Sequence, residues 1–489
     1  MTLTDDPRCP LRASPTLVSI SIEERGSQVA ASTRSDGPTH SSDPVPPPRE
    51  RSQSGHIGLI VLASIVAGLV LGLVLVLGVF GGGEEATITG AALISLGAGM
   101  LMLFLLAGRR TEQPQPWALA PAVIFGAIGF ALLIIRPGDR LLGWTGWVWP
   151  ILLALLVAWS VRGARRSLHN WSRRWLLYPA FAVLGLVALG GAFETVAEAT
   201  TSNPAASTGR TYLVDGHRLY LNCVGSGSPT VVLFNGLGER TPNWAWVQSA
   251  VARQTRVCAY DRAGQGWSGN APGRQDGHQL AADLHGLLSA ADVPGPYVVA
   301  GHSVGGTYAL GYAMDYPKEI AGVALIDSAS PHQFEDLPDY PGFYSMWRRV
   351  GALLPSVGRA GLPRLTSGLG SGELPSDARS EARAFNASPR ELRANRDEFS
   401  ELRTVFDQTK ALMSLDGRPL VVLTAGLGQQ SGWSEAQDKL AALSTNSRHQ
   451  TAAGATHTAL LEEKDFASVT SGAIGAVVQA ARSGETIGR

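Results

Sequence analysis

A chain of 489 residues exceeds the roughly 100 to 200 residues of a single domain, so at least two structural units are expected. Charged residues make up only 16%, against roughly 25% in soluble globular chains, while hydrophobic residues reach 45%, which suits a soluble domain joined to membrane spans. Basic and acidic residues both total 40, leaving no net basic field to hold a nucleic acid, and three cysteines exclude a disulfide-built scaffold or a paired-ligand zinc site.

Residues 1–56 carry Pro44, Pro46, Pro47 and Pro48 among Ser, Thr, Asp and Arg with no sustained apolar period. They cannot bury enough surface to offset their ordering and are expected to be a disordered tail. Five charge-free apolar blocks come next within residues 57–193, at Ile57–Phe80, Ala86–Ala107, Trp117–Ile135, Gly143–Val161 and Trp175–Phe193. Each is long enough at about 1.5 Å per residue to cross most or all of a bilayer core of about 30 Å, so five transmembrane helices are predicted.

Arginines orient the spans, because loop cations are retained in the cytoplasm. Arg49 and Arg51 end the tail, Arg109 and Arg110 sit in the second loop, and Arg162, Arg165, Arg166, Arg173 and Arg174 in the fourth. The opposite side has Glu84 and Glu85 in the first loop, Arg136 and Arg140 beside Asp139 in the third, and Glu194 and Glu198 after the fifth span. An odd number of spans then places the N-terminus in the cytoplasm and everything after Phe193 outside it. Ion pathways need ionisable side chains within the membrane, and these blocks contain none, which argues against transport. Ser64, Gly68 and Gly72 form a small-residue stripe that permits close helix approach or reflects the general richness in glycine.

Residues 194–209, rich in Ala, Thr and Ser, read as a tether. Beyond it, apolar runs at Leu219–Val224, Thr230–Phe234, Arg256–Tyr260, Tyr297–Ala300, Gly322–Ile326, Leu420–Thr424 and Arg448–Ala453 alternate with helical stretches such as Gln279–Ala290 and Gly305–Met314. That alternation predicts an α/β fold with a mostly parallel, doubly wound sheet, whose ligands bind beyond the carboxyl ends of the strands.

One such end carries Gly301-His302-Ser303-Val304-Gly305, between the strand ending at Ala300 and a helix opening with Gly306-Thr307-Tyr308. The pattern alone is weak; in a sharp strand-to-helix turn it exposes a serine hydroxyl at the top of the sheet, above a helix N-terminus suited to a developing oxyanion. A serine nucleophile needs a base to take its proton. Of ten histidines, His457, in the loop Ala455-Thr456-His457-Thr458 after the last strand, is placed to reach back over the sheet.

On these features, with the run Asp261-Arg262-Ala263-Gly264-Gln265-Gly266-Trp267-Ser268 and the loop Asn235-Gly236-Leu237-Gly238, residues 210–482 resemble the α/β-hydrolase superfamily, particularly its bacterial ester-hydrolase-like members with a helical lid. The resemblance implies a hydrolase core over 210–330 and 418–482, a mobile lid over 331–417 and a short tail over 483–489. It implies an oxyanion hole from the backbone N–H groups of Leu237 and Val304, although Asn235 stands where the family commonly has histidine. It places the strands of Cys223 and Cys258 side by side, so a disulfide is expected, the alternative being two buried thiols. The lid aromatics Tyr340, Phe343, Tyr344 and Trp347 either line an acyl pocket or pack the lid. For the triad acid, Asp327 at the end of strand six is preferred over Glu435 and Asp438 after strand seven, Asp327 having also the structural reading of a turn cap.

The leading expectation is a membrane-anchored serine hydrolase cleaving a carboxylic ester, with an amide as second choice, of small-molecule or lipid-like acyl character. No metal or other cofactor is called for. The same intermediate serves an acyltransferase. A catalytically inactive membrane scaffold is the reading from another class, and it is disfavoured because both nucleophile and base are present.

Overall fold

The computed structural model describes residues 57–168, 174–201, 208–270, 273, 275–366 and 372–487. The expected tail at 1–56, Arg173, residues 202–207 of the expected tether and residues 488–489 lie outside the described residues.

The N-terminal part is helical. Helix α1 (Ile57–Leu73) continues as a π-helical turn over Val74–Val79, followed by α2 (Glu85–Arg110), α3 (Leu119–Ile135), α4 (Asp139–Thr145), α5 (Trp149–Ser167) and α6 (Tyr178–Thr201). Among the described residues four helices are long and apolar enough to cross a membrane, and a fifth such stretch arises if α4 and α5, bent by 47° at their junction, count as one. The fourth expected span is therefore broken rather than continuous. Pro150 at the start of α5 lacks an N–H and forces the helix to begin anew there. The tether is also shorter than expected, since α6 stays helical to Thr201.

The small-residue stripe of α1 faces α2. A Cβ added at Gly68 would lie 3.2 Å from the Ser95 carbonyl oxygen, and one at Gly99 2.9 Å from that of Ser64. On another face of α2, a Cβ at Gly129 of α3 would meet the Gly90 carbonyl oxygen at 2.7 Å. Close approach of backbones, the packing mode available where lipid tails are as apolar as leucine, thus joins the first three helices.

The C-terminal part holds an eight-stranded sheet in the order β1-β2-β4-β3-β5-β6-β7-β8. Its strands are β1 (Arg210–Val214), β2 (His217–Val224), β3 (Thr230–Phe234), β4 (Val257–Asp261), β5 (Tyr297–His302), β6 (Ile320–Ile326), β7 (Leu420–Ala425) and β8 (Ser447–Ala452). β2 runs antiparallel to β1 and β4, and the remaining pairings are parallel. Strand β1 is absent from the apolar runs of the sequence. Its signal is the Asp215-Gly216 turn, whose φ angles of 43° and 85° suit a two-residue hairpin.

Apolar side chains on one sheet face pack against α8 (Gly277–Ala290) and α9 (Val304–Asp315), and those on the other against α7 (Ala245–Val251) and the C-terminal helix over Lys464–Ser483. Val231, Leu233, Val298 and Val299 are wholly buried, as expected of strands covered on both sides. Cys223 and Cys258 face each other on β2 and β4 and are joined by a disulfide.

Between β6 and β7 lies the lid, with α10 (Gln333–Asp336), α11 (Tyr340–Gly351), α12 (Leu354–Arg359), α13 (Leu362–Thr366), α14 (Ser376–Ala387) and α15 (Pro389–Thr409). It is fastened to the ends of the apolar helices. Arg364 grips Glu194 with two hydrogen bonds of 2.6 Å, Arg359 pairs with Glu85 and, at 3.0 Å, with Asp139, and Arg396 donates to the Gly83 carbonyl at 2.8 Å. Thr89 and Ser356 hydroxyls meet at 2.8 Å, and Ser388 donates to Glu198 at 3.0 Å.

Candidate active site

Ser303 separates β5 from α9 with φ 56° and ψ −130°, a conformation costly for a non-glycine residue at about 1 to 3 kcal/mol. The surroundings enforce it. The Ser303 N–H donates to the Ile326 carbonyl at 3.1 Å, and its own carbonyl accepts from Ala329 at 2.9 Å and Gly306 at 3.1 Å. Glycine is required beside it: a Cβ at Gly305 would lie 2.2 Å from the Phe234 carbonyl oxygen, and one at Gly301 2.3 Å from that of Gly305. The side chain stands at the carboxyl edge of the sheet.

Asp327 leaves β6 at the same edge, is 1% exposed, and its Oδ2 lies 2.5 Å from Nδ1 of His457. Its other oxygen accepts from the Trp433 indole at 2.9 Å and from the Ala425 N–H at 3.1 Å. Burial pushes this carboxyl up, but the hydrogen bonds and charge of His457 and the Trp433 and Ala425 donors outweigh it and hold it below the usual aspartate value. Glu435 and Asp438, on α16 (Trp433–Ala441), are exposed, and Asp438 pairs instead with His449 at 2.6 Å. The structure therefore brings Asp327 to His457 and keeps Asp438 with His449. Among the described residues the Ser303 hydroxyl makes no hydrogen bond; in apo sites of this kind that bond is often long and tightens with substrate in place.

The Asn235–Gly238 loop crosses over Ser303: a Cβ at Gly236 would sit 3.0 Å from the Ser303 Cβ. Asn235 donates to the Tyr260 carbonyl at 2.8 Å and accepts from Trp244 at 2.9 Å, so asparagine locks the loop from beneath. Arg262 binds the carbonyls of Asn235 at 2.6 Å and Gly236 at 3.0 Å. In a trans peptide the N–H opposes the C=O, so holding the Gly236 carbonyl turns the Leu237 N–H away from Arg262. The N–H groups of Leu237 and Val304 have no partner among the described residues.

Two residues beneath the site were not foreseen as a pair. His302, fully buried, sets Nδ1 2.5 Å from Glu239 and Nε2 3.0 Å from the His457 carbonyl. An oxygen at each nitrogen favours the doubly protonated ring. Burial opposes that charge, but Glu239 outweighs it and raises the imidazole above its ordinary value. Burial likewise pushes Glu239 up, but His302 outweighs it and holds the carboxyl below the usual glutamate value. Glu239 also accepts from the Gly236 N–H at 2.6 Å. The pair ties the Asn235–Gly238 loop to the loop of His457. Its only sequence signal was a histidine beside the nucleophile, since Glu239 is 63 positions away.

Helix α15 covers the loop from above. Glu391 accepts from Arg240 at 2.6 Å, Asn395 from Arg240 at 2.7 Å, and Glu398 from Arg262 at 2.6 Å and Tyr308 at 2.7 Å. Spacings of four and three put these residues on one helix face. The lid aromatics divide between two faces: Tyr340 and Tyr344 pack on Phe334, Phe399 and Phe406, while Phe343 and Trp347 point outward. Among the described residues no group of three or more His, Cys, Asp or Glu side chains is arranged to hold a metal ion.

Compared with known proteins, residues 229–464 match the family model described as alpha/beta hydrolase fold. The uncharacterized protein YqjL of Bacillus subtilis is 31% identical over 121 residues, 24% of this chain and 48% of that protein. A putative carbamate hydrolase, RutD of Cronobacter turicensis, is 33% identical over 104 residues, 21% of this chain and 38% of that protein. This chain thus spans less than half the length of either relative. Among solved structures, a thermophilic esterase from Thermogutta terrifontis shares 22% identity with a TM-score of 0.45, covering 56% of this chain and 99% of that one. By the family match and the strand order, residues 229–464 have the α/β-hydrolase fold.

Proposed function

We propose that this chain is a membrane-anchored serine hydrolase that cleaves a carboxylic ester, or an amide, through an acyl-enzyme on Ser303. The observation that carries the reading is the strained Ser303 turn at the same sheet edge as the 2.5 Å contact between His457 and Asp327. Ser303 Oγ attacks the carbonyl carbon while His457 Nε2 takes its proton, and the Leu237 and Val304 N–H groups receive the oxyanion. His457 then returns the proton to the leaving alcohol or amine. Water, deprotonated by the same imidazole, adds to the acyl carbon and releases Ser303. Asp327 holds the Nδ1–H tautomer and offsets the imidazolium charge.

The hydrolase domain is assigned to the outer side of the membrane. Supporting this, Glu85, Asp139 and Glu194, which the lid engages, mark the helix ends away from Arg109, Arg110, Arg165 and Arg166. A disulfide between Cys223 and Cys258 suits an oxidising compartment. The reading is tested with a fluorophosphonate probe on the full chain. Covalent labelling that disappears in Ser303→Ala is expected, and labelling that persists there would assign the chemistry to another residue. An alcohol acceptor added to an ester assay distinguishes hydrolysis from acyl transfer.

A further inference from the structure

Helix α11 has a face that the protein does not cover. Phe343, Met346, Trp347 and Val350 recur at i, i+3, i+4 and i+7 and are 43%, 54%, 40% and 42% exposed. Such spacing builds one apolar stripe, while the adjoining edge, through Tyr340 and Tyr344, is packed into the lid.

The residues just after α11 fix its level against the apolar helices. Ala352, fully buried, and Leu353 pack with Leu75, Val76, Leu77, Phe80, Ile88 and Ala91, all at one end of the first two apolar helices. The last turn of α11 touches the Gly81–Gly82 turn directly beyond the first of those helices: a Cβ at Gly82 would lie 3.1 Å from Arg348 Nε, and one at Gly81 3.1 Å from Arg349 Cγ. The exposed stripe therefore continues the apolar surface of the spans, where Leu73 and Val79 are 61% and 63% exposed. Arg348 and Arg349 form no ion pair among the described residues and lie beside the Gly81–Gly82 turn. The lid repeats the pattern on α13, where Leu362 and Leu365 are 53% and 77% exposed on either side of Arg364, which is bound to Glu194.

We infer that α11 is an interfacial helix: it lies along the bilayer surface on the hydrolase side, with Phe343, Met346, Trp347 and Val350 at the acyl boundary and Arg348 and Arg349 among the phosphates. A basic amphipathic helix with aromatic and aliphatic residues on one face has the chemistry for that position. The inference rests on the reading that the apolar helices cross a membrane.

The test uses the full chain in nanodiscs of equimolar phosphatidylcholine and phosphatidylglycerol, with Cys9→Ser as background. A nitroxide is placed singly by Met346→Cys and Val350→Cys, by Leu69→Cys as a mid-span reference, and by Met413→Cys beyond α15 as a reference remote from the spans. Each variant must elute as the parent does. Relaxation by oxygen against a water-soluble nickel chelate is then compared. The expected ratio at 346 and 350 lies below that of Leu69, as befits the acyl boundary, and several-fold above Met413. Ratios at 346 and 350 equal to Met413, with Leu69 still oxygen-dominated, would overturn the inference and leave the spans standing. A chelate-accessible Leu69 would overturn the membrane reading and the inference together. Exclusion of both reagents with dipolar broadening between labels would mean that a second copy covers the face, and would also overturn it.

Discussion

The helical region and the hydrolase domain spend the same residue types in opposite ways. Leu69, Leu155 and Leu186 are 64%, 63% and 67% exposed, whereas Val231, Leu233 and Val299 are wholly buried. In the hydrolase domain the charges go inside instead, as Arg240 with Glu391 and Arg262 with Glu398. Two modes of packing therefore hold this chain. The apolar helices expose leucine and meet through close backbone contact; the sheet relies on burial, with ion pairs fixing the loops above it. The lid is where the two regions meet, since its arginines supply the counter-charges to carboxylates at the helix ends.

The hydrolase side of this contrast is most sensitive to the placement of single atoms above the sheet. Ser303→Ala is expected to lower ester turnover by about 10⁴-fold or more, because loss of the proposed nucleophile leaves only binding and the proposed oxyanion hole. Asp327→Asn is expected to cost about 10³ to 10⁴ in kcat, while Glu435→Gln and Asp438→Asn stay near wild type. Collapse in either of the latter two, with Asp327→Asn near normal, would move the acid to α16.

Buried charge bears on the stability of the hydrolase domain as well. Arg262→Met leaves Glu398 without its cation and is expected to destabilise the domain by about 3 to 5 kcal/mol in guanidinium unfolding, with Arg262→Met/Glu398→Met recovering much of the loss. For Glu239→Gln, the expected cost is about 1.5 to 3 kcal/mol and depends on pH. A raised His302 contributes stability that is complete below the unfolded imidazole value and lost as pH rises through the folded one. A lowered Glu239 contributes stability present above the unfolded carboxylate value and lost as pH falls through the folded one. The advantage of wild type should therefore be widest between about pH 4.3 and 6.5 and narrow on both sides. A constant difference across pH would show that the pair is not charged. The smallest effect is expected at the seam: a double-mutant cycle of Arg364→Ala and Glu194→Gln should give a coupling of about 1.5 kcal/mol, read from unfolding in detergent.

What was legible in the sequence was what repeats or is local. Charge-free blocks announced the apolar helices because a long run of one residue class is visible without any contact being known, and strand and helix alternation announced the sheet because burial writes a period into the chain. The Ser303 turn was legible because glycines within two positions make it possible. A bend between α4 and α5 was signalled only by Pro150, and β1 only by Asp215-Gly216. Tertiary packing settled the rest. Asp327 rather than Asp438 faces His457 because β6 lies nearer the centre of the sheet than α16 does, and distance along the chain says nothing of that. Glu239 meets His302, and Arg364 meets Glu194, across 63 and 170 positions. Pairings of that range carry no period, because they arise only where folded elements converge. The division of Tyr340, Phe343, Tyr344 and Trp347 into a packed and an outward face likewise depends on where the lid comes to rest, at the end of the first two apolar helices.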